Sequence, residues 1–194
     1  MKSGAGYVLT EYFPSINTLA YLMQFDTIII EASENYQKNS LRNRCYLTGS
    51  QGKFLLSVPL SKGKNQQQSI RGVKIAYDID WASIHIKTIK TNYSKAPFFD
   101  YYFDNVQSIL YKKHQFLLDL NWDILVFYSE AFQWHPSFSF TSEYENPNLD
   151  YLSNSKPMTY PQLFENFTGN VPDLSALDLL FCMGPNRKYL EWNV

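Results

Sequence analysis

Hydrophobic positions along this chain change rhythm several times, and each change marks an element. Tyr7 to Thr10 is a short apolar run broken by Tyr12-Phe13-Pro14. Ser15 is a helix-capping residue type, and Ile16, Leu19, Ala20 and Met23 follow at i, i+3, i+4 and i+7, which predicts a helix closed by Asp26. Thr27 to Ile30 is then a β-branched run of the kind buried in a sheet. Strand, helix and buried strand in that order predict a right-handed βαβ crossover. Ligands of such folds bind beyond the carboxyl ends of the strands, so Thr10, Glu11, Tyr12 and Glu31 are expected near a crevice.

Arg44–Thr48 and Lys53–Val58 flank Gly49-Ser50-Gln51-Gly52, which predicts a hairpin with a four-residue loop, its second arm ended by Pro59. Residues 61–69 have no hydrophobic period and read as a polar surface loop or a flap. Val73, Ile75 and Tyr77 alternate as a further sheet member. Asp80 caps a helix whose Trp81, His85, Ile89 and Tyr93 share one face, with Pro97 stopping the segment. A second helix spans Phe99 to Leu110, and a third runs from a cap at Asn121 through Leu125, Tyr128 and Phe132. From Gln133 to Pro161 no period is sustained, so this stretch reads as an excursion with little regular structure. A short helix around Gln162–Phe167 precedes one capped by Ser175, buried through Leu177, Leu180 and Phe181, and ended by Gly184-Pro185. The expected fold is α/β: a single domain with a mixed, partly parallel sheet, a β-hairpin, flanking helices, and a C-terminal loop excursion and helix. Its parts are a core over residues 1–132, an irregular excursion or lid over 133–159, and a helical segment over 160–194 packing on the core.

Composition narrows the function classes. With 194 residues and 45% hydrophobic content the chain can bury a real core. A net charge of −1 argues against nucleic-acid binding, which needs a basic footprint. No apolar stretch is long enough to span a membrane, and the apolar run after the first residues is too short for a signal peptide. Cys45 and Cys182 lie far apart without metal-ligand neighbours, which suits a reducing compartment, most economically the cytoplasm. The 15 Tyr and 14 Phe suit a wet, polar-edged cleft, an ordinary core or a subunit interface, so a homo-oligomer is compatible with the chain.

Glycine-rich phosphate cradles and the common metal and nucleophile motifs are absent from the sequence, so no cofactor and no metal is expected. An anionic ligand would then be held by side chains, which turns attention to Lys38, Arg42 and Arg44. If the strand runs through both arginines, their spacing of two puts them on one face, where planar guanidinium forks suit phosphate or carboxylate. The alternative is a strand edge guarded by charge. His85 is the best general acid or base by type, or else a histidine packed between Trp81 and Ile89. Glu11 and Glu31 offer a carboxylate pair beyond the strand ends.

The ordered set of Tyr12-Phe13-Pro14, Tyr36-x-Lys38, Arg42-Asn43-Arg44, Leu56-Ser57-Val58-Pro59, Trp81-x-x-x-His85, Tyr93-x-x-Ala96-Pro97-Phe98-Phe99 and Leu174-Ser175-x-Leu177-Asp178 with Gly184-Pro185 resembles the WbqC-like proteins of bacteria, in the manner of the branch found in Bacteroidetes. The resemblance runs from Tyr7 to about Phe132 and resumes from Tyr160 to Leu190. One departure matters: Thr10-Glu11 stands where that family commonly has Gln-Pro. The resemblance implies a transferase of surface polysaccharide or O-antigen biosynthesis, with aminoacyl (glycyl) or related transfer to an amino sugar. It favours His85 as the catalytic base and Arg42 and Arg44, then Lys38 and Tyr36, as binders of a small anionic or sugar-linked substrate, with Glu11 as the second catalytic candidate, taking over the place of the family's Gln to orient the acceptor or His85. A noncatalytic binding or scaffold protein of a glycan-assembly complex is the alternative, in which the Tyr- and Phe-rich surface would be an interface.

Overall fold

Two parallel strands, β1 (Lys2–Leu9) and β2 (Phe25–Glu31), are joined through helix α1 (Ile16–Leu22), as the strand–helix–strand pattern predicted. The computed structural model describes residues 2–61, 68–144 and 159–190. Helix α1 starts where expected because Ser15 Oγ accepts from Thr18 N, 3.1 Å away. It ends at Leu22, and Asp26 belongs to β2 rather than closing the helix.

Two corrections concern strands. β5 (Ser137–Phe140) falls inside the stretch read as irregular and pairs parallel with β2, giving the sheet order β1-β2-β5. Conversely, Val73 to Tyr77 forms no strand. Ile75 bridges Leu60 and Lys74 bridges Phe116, isolated contacts that use an extended backbone without a ladder. The hairpin of β3 (Arg44–Gly49) and β4 (Gly52–Ser57) forms its own antiparallel sheet. Its loop is two residues, not four, because Gly49 and Gly52 pair, and Gly52 takes a φ of 100° that suits only glycine.

Helices α2 (Trp81–Tyr93), α3 (Phe99–Tyr111) and α4 (Leu117–Ala131) pack in succession. Asp80 caps α2 through Ser83 N at 3.2 Å. Helix α4 begins a turn earlier than its sequence suggested, so Asn121 is an interior residue of the helix and not its cap. After the short α5 (Glu165–Thr168), α6 (Ala176–Met183) packs against α1, α3 and β3. Ser175 caps α6 and Gly184 ends it at φ 65°, with Phe98 so close that a Cβ there would lie 2.7 Å from its ring. Tyr12, Phe13, Leu19, Ile28, Leu47, Ile89, Tyr93, Tyr128 and Phe181 lie at the centre of one apolar core, each fully enclosed. Burying a side chain of the Leu, Ile or Phe kind contributes about 1.5–3 kcal/mol. The excursion over 145–158 and most of the polar loop, residues 62–67, lie outside the described residues. Among the described residues no helix is long and apolar enough to cross a membrane.

Candidate functional site

Beyond β1 the chain turns sharply. Phe13 adopts a left-handed φ of 45° directly before Pro14, a conformation costly for an aromatic residue and held here by complete burial. The turn sends Tyr12 into the core and leaves Glu11 at the carboxyl edge of the parallel sheet. Glu11 is buried, with Oε2 accepting from Ser15 N at 3.0 Å and Oε1 accepting from Thr18 Oγ1 at 3.0 Å. Burial raises its pKa above the usual carboxylate value, against the lowering effects of those two bonds and of the Arg42 charge. Glu11 opens onto a narrow cleft of about 20 Å³ lined also by Thr10, Leu22, Ile30, Asn121, Trp122 and Phe140. The crevice expected beyond the strand ends is therefore present, closed on one side by α4.

The second group of predicted residues lies beyond β2. Arg42 is buried, and its Nε and Nη2 donate to the two carboxylate oxygens of Glu34 at 3.0 and 2.6 Å. Strand β3 begins only at Arg44, so Arg42 sits in the preceding turn and does not follow the strand's alternation. Arg44 is half-buried, and among the described residues its guanidinium has no hydrogen-bond or ion-pair partner, with Nε fully shielded from solvent. Of the four arginines, the others are engaged: Arg71 donates to Thr141 O and Arg187 to Phe132 O. Both Arg42 and Arg44 lie close enough to Tyr36 that their charges oppose the rise that burial imposes on its phenol. Tyr36 Oη donates to Asn43 Oδ1 at 2.9 Å. Tyr36, Glu34 and exposed Lys38 line a broad open hollow with Ser33, Gln37 and Tyr144. Arg42 thus links the two groups, since its charge acts on Glu11 on one side and on Tyr36 on the other.

His85 lies elsewhere, enclosed in the core on α2. Its Nδ1 is 2.9 Å from Tyr12 Oη, and Trp81 packs against the ring with centroids 5.2 Å apart. Burial lowers its pKa to about 4, against a hydrogen bond to the Ser57 backbone that favours the charged form, so the imidazole is neutral at pH 7. It lines neither the Glu11 cleft nor the Tyr36 hollow. Glu31 does not join Glu11 either. It is fully buried and ties the ends of β2 and β5 by accepting from Thr141 Oγ1 at 2.8 Å and Ser33 N at 2.7 Å.

Sequence reasoning did not single out Asn121 for chemistry. Its Nδ2 donates to Arg42 O at 2.8 Å, it lines the Glu11 cleft, and its Oδ1 is buried with no partner among the described residues. Nor did it find Glu34, whose only sequence signal was its place just after the second strand. Among the described residues no three His, Cys, Asp or Glu gather into a metal-binding group.

Compared with known proteins, no curated protein and no solved structure matches the chain. Residues 10–151 match the WbqC-like protein family, a span that contains Glu11, the Arg42–Glu34 pair, Arg44, His85 and Asn121. The chain belongs to the WbqC-like protein family.

Proposed function

We propose that this chain is a cytoplasmic transferase of bacterial surface polysaccharide biosynthesis, passing an aminoacyl (glycyl) or related group to an amino sugar. The observation that carries the reading is the guanidinium of Arg44, half-buried beside Tyr36 and unpartnered among the described residues while Arg42 is closed by Glu34. A planar cation held without a counterion suits the anionic part of an activated donor, with Lys38 adding a mobile second charge at the hollow. Glu11 serves as the base. As the acceptor amine forms the new amide bond to the donor's acyl carbon, the amine proton passes to the Glu11 carboxylate. The donor's ester or thioester bond breaks, and its electron pair leaves with the anionic portion. His85 acts through Tyr12, holding the turn that carries Glu11. The two free, buried thiols, Cys45 and Cys182, are in keeping with a reducing compartment.

Thermal stabilisation by a panel of sugar nucleotides and aminoacyl donors tests this reading. The wild-type protein is expected to respond to one donor class, and Arg44→Ala to bind it at least tenfold more weakly, the roughly 1.5–3 kcal/mol of a charged hydrogen bond. Equal binding by wild type and Arg44→Ala, or no donor bound by wild type, overturns it. The noncatalytic glycan-assembly scaffold is the second reading if no donor binds.

A further inference from the structure

A hollow of about 300 Å³ lies where the turn after β1, the hairpin and the segment before α6 meet. It shares no lining residue with the Glu11 cleft or with the hollow at Tyr36. That size stands at the small end of ligand pockets, which run from about 300 to 1,000 Å³. Backbone bonds fix its walls: Ile16 N donates to Leu174 O at 3.0 Å, Ala176 N to Pro14 O at 2.8 Å, and Ser175 N to Tyr46 O at 2.8 Å. Phe13 and Asp173, two of the five non-glycine residues with left-handed backbone among the described residues, both line it, at φ 45° and 55°. Backbone held in that region collects at ligand sites.

The floor of the hollow is apolar, made by Phe13, Leu41 and Leu174. Asn17, Tyr46, Lys53 and Asp173 stand around it, each half-buried or exposed and so open to a ligand. Among the described residues the Asn17 amide and the Asp173 carboxylate have no hydrogen-bond partner. Lys53 Nζ donates once, to Pro172 O at 3.1 Å, and lies 4.7 Å from the centre of the Tyr46 ring, so two of its hydrogens remain. Asp173 accepts, Lys53 donates and Asn17 does both, while the two charges cancel.

We infer that this hollow is a subsite for a pyranose ring, whose hydroxyls donate to Asp173 and accept from Lys53 and Asn17 while its C–H face lies on the apolar floor. An anion would meet Asp173, a cation would meet Lys53, and an apolar ring would strip water from the polar rim without replacing its bonds. A small zwitterion would match both charges but leave the floor uncovered. A hydroxylated ring supplies donors, acceptors and an apolar face together. Arg44 and Tyr46 point to the same face of β3, about 7 Å apart along the strand. A ring against Tyr46 thus sits one strand repeat from the guanidinium proposed to hold the donor. This deepens the proposed transferase by giving the acceptor's ring a place, and it rests on that reading only for the transfer step.

The test offers the full chain methyl glucoside, methyl galactoside, methyl mannoside and N-acetylglucosamine, with cyclohexanol and glycine as controls. Binding is followed through the Asn17 side-chain amide signals, identified with an Asn17→Ser variant. One or more of the sugars is expected to shift those signals saturably, at least tenfold more tightly than either control. Lys53→Met and Asp173→Gly, the second keeping the left-handed backbone, are each expected to weaken that sugar at least fivefold. No shift by any of the sugars, or a control bound as tightly, overturns the subsite. Sugar binding that Lys53→Met leaves unchanged also overturns it, and because Lys53 is exposed this decides the point even if Asp173→Gly does not fold. Sugar binding without any donor binding would sink the transferase and keep the subsite. Donor binding without sugar binding would do the reverse.

Discussion

Arg42 and Arg44, two positions apart, are set different tasks by their surroundings. Removing Arg42 leaves Glu34 buried and unpaired, so Arg42→Ala is expected to cost about 3–5 kcal/mol of stability in urea unfolding. Arg44 has no partner to strand among the described residues, and Arg44→Ala is expected to stay within about 0.5 kcal/mol of wild type while losing donor affinity. The sequence spacing suggested a matched pair on one strand face. It could not show that the strand starts between them, nor that Glu34 would claim the first. Asn121 was misread for a related reason: an asparagine ahead of a helical run has the residue type of a cap, and only the earlier start of α4 turns it into a buried polar group. His85 was correctly placed on the same face as Trp81 and Ile89, but a helical row cannot tell a histidine in a cleft from one sealed against a tyrosine.

Among elements, the parts legible in sequence were those whose local chemistry and burial agree: α1 with its Ser15 cap, the parallel β1–β2 pair, the hairpin, α2 and α6. Strand β5 was not legible because its Ser-Phe-Ser-Phe alternation is short, lies in a Ser- and Pro-rich stretch, and gains its identity only from pairing with β2. Element ends also carry the site. Ser15 both caps α1 and donates its N–H to Glu11, so Ser15→Ala is expected to cost about 1 kcal/mol by thermal or urea unfolding. The same change keeps the backbone bond to Glu11 and is expected to leave donor affinity near wild type. A loss above about tenfold would show that the cap oxygen, and not only the backbone, positions the carboxylate.

At the scale of the whole molecule, the buried groups His85 and Asp178 respond to acid in opposite directions. His85 has its folded pKa lowered to about 4, below the ordinary 6.5, so its contribution is complete above pH 6.5 and is lost as pH falls toward 4. Asp178, buried with Tyr93 and Tyr160 donating to its oxygens, has its pKa raised by burial to about 6 from 3.8. The folded state holds that proton where the unfolded chain has released it, so stability gained on acidification between pH 6 and 4 is lost as pH rises again. Each effect amounts to roughly 3 kcal/mol at about 1.4 kcal/mol per pH unit, so within this window the two largely cancel. Substitution unmasks them: relative to wild type, His85→Gln is expected to gain stability on going from pH 6.5 to 4.5, and Asp178→Asn to lose it. Urea midpoints across that range measure both, and parallel curves for the three proteins would refute the assignment.

Ser15 and Ser175, the caps of α1 and α6, form an antiparallel bridge, with Ile16 N donating to Leu174 O and Ala176 N to Pro14 O at 3.0 and 2.8 Å. The turn that presents Glu11 is thus fastened by residues some 160 positions later in the chain. During synthesis Glu11 leaves the ribosome some 160 residues before the segment that fastens its turn. A nascent chain stalled before Ala176 would carry every proposed substrate-contacting side chain and still lack the clasp that sets their geometry.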